Sequence, residues 1–157
     1  IDIGIVTLPV TQDNLKVIPV YEDELQGVVP AGHPLAKRSS IRLEELVHEP
    51  LIFPKGGHTR ELLEKLFRKH RHQLQISMEL ASVETIKKFV GAGLGISLIS
   101  RTYAQIEAKS GILKLIPLQG TKLLRRLGLV YRTDRHFSRA AQAFSEVVNA
   151  FHSKPAS

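Results

Sequence analysis

The side chains best suited to chemistry fall in two short stretches, residues 55–59 (Lys55, Gly56, Gly57, His58, Thr59) and residues 82–84 (Ser82, Val83, Glu84). Each stretch has a hydroxyl residue ahead of a run with helical apolar spacing, so Thr59 and Ser82 read as helix N-caps. A helix start leaves backbone N–H groups without intrahelical acceptors and carries partial positive charge, a combination that suits an anion. Lys55 adds a cation, and the adjoining glycines let a ligand approach the backbone closely. His58 is a candidate contact whose charge can change near neutral pH. Glu84 acts in the opposite sense: its carboxylate favours the helix start and opposes an anion there, which points to a ligand that carries a hydroxyl, amine or metal counter-charge instead. Plain capping by Ser82 and Thr59 stands beside the ligand reading, and the two roles are compatible.

Other chemistry is less well supported. Ser82, His58 and Glu84 have the composition of a catalytic set, but there is no G-x-S-x-G nucleophile elbow, and no catalytic residue is assigned. The glycine run at 91–95 follows a helical pattern instead of opening one, so it terminates a helix and does not cradle a dinucleotide. Of the seven histidines, His70 and His72 lie two apart and cannot share a helix face; the others are scattered, and neither a metal site nor a cofactor is expected.

These residues need elements to position them. Ile76, Met78 and Leu80 alternate as a strand, followed by Ser82 and then Ile86, Phe89, Val90, Gly93 and Leu94 at helical spacing, with Lys87 and Lys88 on the opposite face. Gly93 ends that helix, and the apolar run at 96–99 supplies a further strand, giving a βαβ unit whose ligands would sit beside the helix start. Upstream, Leu51, Ile52 and Phe53 form a brief strand before Pro54, and the helix after Thr59 carries Leu62, Leu63, Leu66 and Phe67 on one face. Two strand–turn–helix units in succession would point free amides at the same sheet edge.

Around this centre, residues 1–7 read as a strand with Thr7 at its carboxyl end. Two extended segments follow at 15–20 and 24–30, then a break at Pro30, Gly32 and Pro34 and a short helix at 41–47. A helix is expected at 103–109, strands at 112–118 and 127–131, and a last helix capped by Ser138 with Ala140, Ala141, Phe144, Val147, Val148 and Phe151 on its apolar face. The tail at 154–157 is expected to fray.

At 157 residues and 43% hydrophobic content the chain can bury a core. Lysine and arginine outnumber acids 22 to 15, a net charge of +7 that invites a nucleic-acid reading. Much of that excess lies in clusters at Lys37-Arg38, 68–72, 122–126 and 132–136, which fall at loops and element ends. With no tryptophan and no DNA- or RNA-binding signature, a solvated basic surface is the simpler account. Cysteine is absent, which removes disulfides. No run approaches the ~20 apolar residues of a membrane span and no signal peptide is evident, so a soluble cytoplasmic protein is expected. The only methionine is Met78, and the chain opens on a strand-like alternation, as a processed chain or an excised piece would.

Several motifs, in order, resemble the effector-binding region of LysR-type transcriptional regulators. They are Asp2-Ile3-Gly4-Ile5-Val6, His33-Pro34-Leu35-Ala36, Leu43-Glu44-Glu45-Leu46 leading to Pro50-Leu51-Ile52, Ser82-Val83-Glu84, Val90-Gly91-Ala92-Gly93-Leu94-Gly95-Ile96, and Leu127-Gly128-Leu129-Val130-Tyr131-Arg132. The resemblance implies an α/β, two-lobed, type II periplasmic-binding-protein-like fold, a central sheet flanked by helices in each lobe. Residues 1–40 and 125–157 would form an incomplete lobe one and residues 41–124 lobe two. It implies a small, anionic metabolite bound between lobes, with Thr7 and Val29 joining residues 55–59 and 82–84 as effector contacts. It also implies a homo-dimer or tetramer that meets DNA only through a winged helix-turn-helix domain not in this chain, and that does not engage membranes. The alternative within the same fold is a periplasmic solute-binding component of a transporter.

Overall fold

A computed structural model of the chain describes residues 3–134 and 138–152. Ile1 and Asp2 of the expected first strand, Arg135 and His136 of one basic cluster, the side chain of Phe151 and the tail at 154–157 lie outside the described residues. The chain divides into two compact units, one made of residues 1–22 and 125–157 and the other of residues 23–124.

In the first unit, β1 (Ile3–Thr7) pairs antiparallel with β7 (Leu123–Arg132), Ile3 opposite Tyr131 and Thr7 opposite Leu127. Gly128 makes room for the residue that follows β1: a Cβ there would lie 2.8 Å from the Leu8 side chain. The Leu8 amide donates to the Arg126 carbonyl at 2.8 Å, fixing the turn beyond Thr7. Helix α5 (Arg139–His152) starts as expected, with Ser138 Oγ accepting from the Ala141 amide at 3.2 Å. Ala141, Leu129 and Val130 are buried, yet Phe144 is 47% exposed, Val147 54% and Ile5 56%.

Strand β2 (Leu15–Pro30) is continuous where two segments were expected, and it carries the chain from the first unit into the second. In the second unit its residues pair antiparallel with β5 (Ser97–Ser100), Leu25 opposite Ser100, and with β6 (Leu113–Ile116), Gly27 opposite Ile116. Successive side chains of a strand point to opposite faces, and both Val28 and Val29 are 0% exposed, so this part of the sheet is covered on both sides. Val28 packs with Ile86 and Val90 of α3 (Val83–Gly91) and Ala104 of α4 (Arg101–Lys109). Val29 lies in a cluster with Leu46 of α1 (Leu43–Leu46), Leu63 of α2 (Gly57–Leu66), Phe53 and Phe67. Residues 23–40 fall in this unit, Leu25 and Leu35 contributing to the same core.

Strands β3 (Pro50–Pro54) and β4 (Gln75–Leu80) run parallel. The expected βαβ unit closes through β3. The Ile96 amide donates to the Pro50 carbonyl at 2.9 Å and the Ile52 amide to the Ile96 carbonyl at 2.8 Å, whereas β5 itself pairs antiparallel with β2. The glycine run does terminate a helix. Gly93 has φ +77°, its amide donates to the Val90 carbonyl and the Leu94 amide to the Phe89 carbonyl. Helix α4 ends the same way, with Gly111 at φ +76° and Ile112 bonded back to Glu107. Leu94, expected on the packed face, is 48% exposed beyond that turn. Among the described residues no helix is long and apolar enough to cross a membrane.

Candidate functional site

The parallel β3–β4 pair brings the two chemically promising stretches together. Pro54 is in register with Leu80, and one residue further the Lys55 amide donates to the Leu80 carbonyl at 2.9 Å, tying the loop before α2 to the loop before α3. Both helices therefore begin at the same carboxyl-terminal edge of the pair, where α/β folds hold ligands.

Ser82 caps α3 as its position predicts, with extended backbone and Oγ accepting from the Thr85 amide at a long 3.5 Å. The cap of α2 differs from expectation. The helix starts at Gly57 with Gly56 in the N-cap position, so Thr59 sits inside the first turn and no side chain caps it. Gly57, at φ +79°, occupies backbone that favours glycine, which explains an entry two residues early. The amides of Gly57, His58, Val83 and Glu84 have no protein acceptor among the described residues. Lys55, Gly56 and Gly57 are exposed, and the Lys55 ammonium has no acidic partner among those residues. His58 is half-buried, with Nδ1 3.4 Å from a Glu61 carboxylate oxygen.

Lys87 departs furthest from its expected solvent-facing role. It is 6% exposed, and its Nζ lies 2.9 Å from Glu84 Oε1 and 2.7 Å from Glu107 Oε1, and donates to the Tyr103 carbonyl at 2.9 Å. Burial by itself would lower the Lys87 pKa, but its hydrogen bonds to Glu107 and Glu84 outweigh that and hold the ammonium above its ordinary value. The same bond from Lys87 holds Glu107 below the ordinary carboxylate value. Glu84 is thus half of an ion pair, which reduces the repulsion it offers an incoming anion.

Two candidate contacts fall elsewhere. Val29 is fully buried opposite Lys114 of β6, so its side chain serves the core of the second unit and is closed to a solvent-borne ligand. Thr7, half-buried at the end of β1, belongs to the first unit. One feature escaped sequence reading: a groove of about 650 Å³ in the second unit lined by Phe53, Arg60, Arg68, Arg71, Leu74 and Ile76 among others. Arg60 there is committed, bonded to Glu64 at 2.7 Å and Glu79 at 2.6 Å. The basic run at 68–72 was its sequence signal. Among the described residues no group of acidic or histidine side chains is arranged to hold a metal.

Comparisons with known proteins bear directly on this arrangement. Residues 1–152 match the LysR substrate binding domain. The HTH-type transcriptional regulator CbbR of Sinorhizobium medicae is 36% identical over 150 residues, covering 94% of this chain and 48% of the relative. The HTH-type transcriptional activator CmpR of Synechocystis is 32% identical over 143 residues, 90% of this chain and 47% of the relative. The chain thus spans about half the length of these curated relatives. Among solved structures, the Synechocystis CcmR regulatory domain in complex with 2-PG superposes with a TM-score of 0.86 at 27% identity, over 97% of this chain and 74% of that one. With residues 1–152 of its 157 matched by that family, the chain belongs to the LysR substrate binding domain family.

Proposed function

We propose that this chain is the effector-sensing domain of a LysR-type transcriptional regulator and binds a small organic anion at the edge where α2 and α3 begin. The observation that carries the reading is the Lys55–Leu80 bond, which sets two helix starts with open amides side by side next to a lysine that has no acidic partner among the described residues. The solved CcmR domain is a complex with 2-PG, which supports a small ligand for this fold. Residues 55–59 and 82–84 are the proposed contacts, Glu84 through its backbone amide.

Through a separate winged helix-turn-helix domain, occupancy of this site would control transcription by an oligomeric regulator acting on DNA in the cytoplasm. The relatives are named as transcriptional regulators, which favours this reading over a transporter component.

Thermal melting against a panel of carboxylates, phosphates and amino acids tests the claim. A ligand that binds only the native state adds about 2.7 kcal/mol at one hundred times its Kd. Ser82→Val and Thr59→Val should weaken that stabilisation beyond their own effect on folding. A panel that moves no melting temperature, or variants that lose stability with affinity intact, would leave both residues with structural roles only.

A further inference from the structure

Glu84 is the acidic residue in the first turn of α3, where a carboxylate normally turns toward the open amides. Glu45, at the third position of α1, turns back to its own helix start and accepts from the Arg42 amide at 2.9 Å, whereas Glu84 stands at the second position of α3. In α3 the carboxylate goes the other way. Its partner, Lys87 Nζ, lies most of a turn further along the helix, 2.9 Å from Glu84 Oε1. Lys87 is not free to follow Glu84 back, because α4 holds it by Glu107 Oε1 at 2.7 Å and by the Tyr103 carbonyl at 2.9 Å. Three acceptors engage the three protons of the ammonium, and the side chain is only 7% exposed.

We propose that Lys87 is a positioning residue for the effector site: anchored by α4, it draws Glu84 off the start of α3 and keeps the Val83 and Glu84 amides open to an anion. The proposal rests on the anion-binding reading above and explains how an acidic residue coexists with it. An interhelical clamp with no bearing on the site would need the same contacts to α4, so the test must read the α3 amides themselves.

Inorganic phosphate is titrated into the whole chain labelled with 15N, and the amide resonances of residues 82–85 report binding. Glu84 meets the anion through its backbone amide, which Glu84→Gln keeps; the substitution, at a largely exposed position, removes only the carboxylate charge and is expected to change the phosphate Kd by less than about twofold, since that carboxylate is already withdrawn. A tightening of about fivefold or more would overturn the proposal, because it would mean that Glu84 stands over the amides in the native protein. Lys87→Met keeps the buried stem and removes the charge. It should weaken phosphate binding by about fivefold, and adding Glu84→Gln should restore it to within about twofold. No weakening, or weakening that Glu84→Gln does not relieve, reduces Lys87 to a clamp.

A ligand-free comparison separates the two claims. Without phosphate, Glu84→Gln should displace the Val83 amide resonance further in Lys87→Met protein than in wild type; equal displacements overturn the positioning role whatever phosphate does. If that contrast holds but phosphate moves none of the amides at 82–85 in wild type, the anion reading fails and the withdrawal of Glu84 stands. Should Lys87→Met not fold, the Glu84→Gln single variant still decides the proposal.

Discussion

The two units treat similar apolar patterns differently. In the second, Val28 and Val29 on opposite faces of β2 are both fully covered, and Phe53 and Phe67 meet with ring centroids 5.9 Å apart. In the first, the strongly amphipathic helix α5 leaves Phe144 and Val147 about half exposed, and Ile5 of β1 is more open still. Hydrophobic spacing therefore foretells that a helix forms and which face is apolar, while what covers that face is decided by residues remote in sequence. The candidate site is built on the well-covered unit, where packing can hold two helix starts in register.

The contrast can be tested at graded strength. The largest effect is expected from Phe53→Ala, at 1% exposure in the second unit's core, which should cost about 3–5 kcal/mol in denaturant unfolding. A loss near 1 kcal/mol would show that this core is looser than its burial implies. Gly95→Ala comes next, because Gly95 has φ +157° and an added Cβ would lie 2.6 Å from the Pro50 carbonyl oxygen where β3 meets residue 96. About 1–3 kcal/mol is expected, measured the same way.

Ser82→Ala should cost about 1 kcal/mol or slightly less, given the length of its capping bond. For the Lys87–Glu107 link, pH is the better lever. Its carboxylate is held below the ordinary 4.5, so this contribution to stability is complete above that value and fades as pH falls through the lowered folded-state pKa. Glu107→Gln should flatten the stability profile below pH 4.5, and an unchanged slope would show that other carboxylates dominate there. Smallest of all, Phe144→Ala in the first unit should stay within about 0.5 kcal/mol, the range of ordinary surface changes. A loss as large as that from Phe53 would erase the distinction between the units.

Much of the site's scaffold was legible because its signals are local. The Ser82 cap, the Gly93 helix end and the Ser138 cap each depend on residues within a turn of one another, and each stands where the pattern puts it. Reading failed where the deciding partner is distant or silent. Gly56 has no side chain to announce a cap, so the start of α2 was placed at Thr59. Val29, placed at the site by the family resemblance, has its side chain in a core cluster with Leu46, Phe53, Leu63 and Phe67, partners remote in sequence. The gap expected at residues 21–23 is bridged within β2, where Asp23 is buried and accepts from Ser100 Oγ and, at 3.3 Å, from Thr102 Oγ1, contacts no local pattern could show. Lys87 likewise looked solvent-facing because Glu107 and Tyr103 belong to the next helix.

That lysine has a consequence for labelling chemistry. Amine acylation needs a deprotonated nitrogen that a reagent can reach, and Lys87 combines near-complete enclosure with an ammonium held charged by its neighbours. Its sequence neighbour Lys88 is exposed. The adjacent pair forms a built-in reference for footprinting by mass spectrometry: Lys88 should be modified early and Lys87 late, so their ratio gauges how often α3 and α4 part.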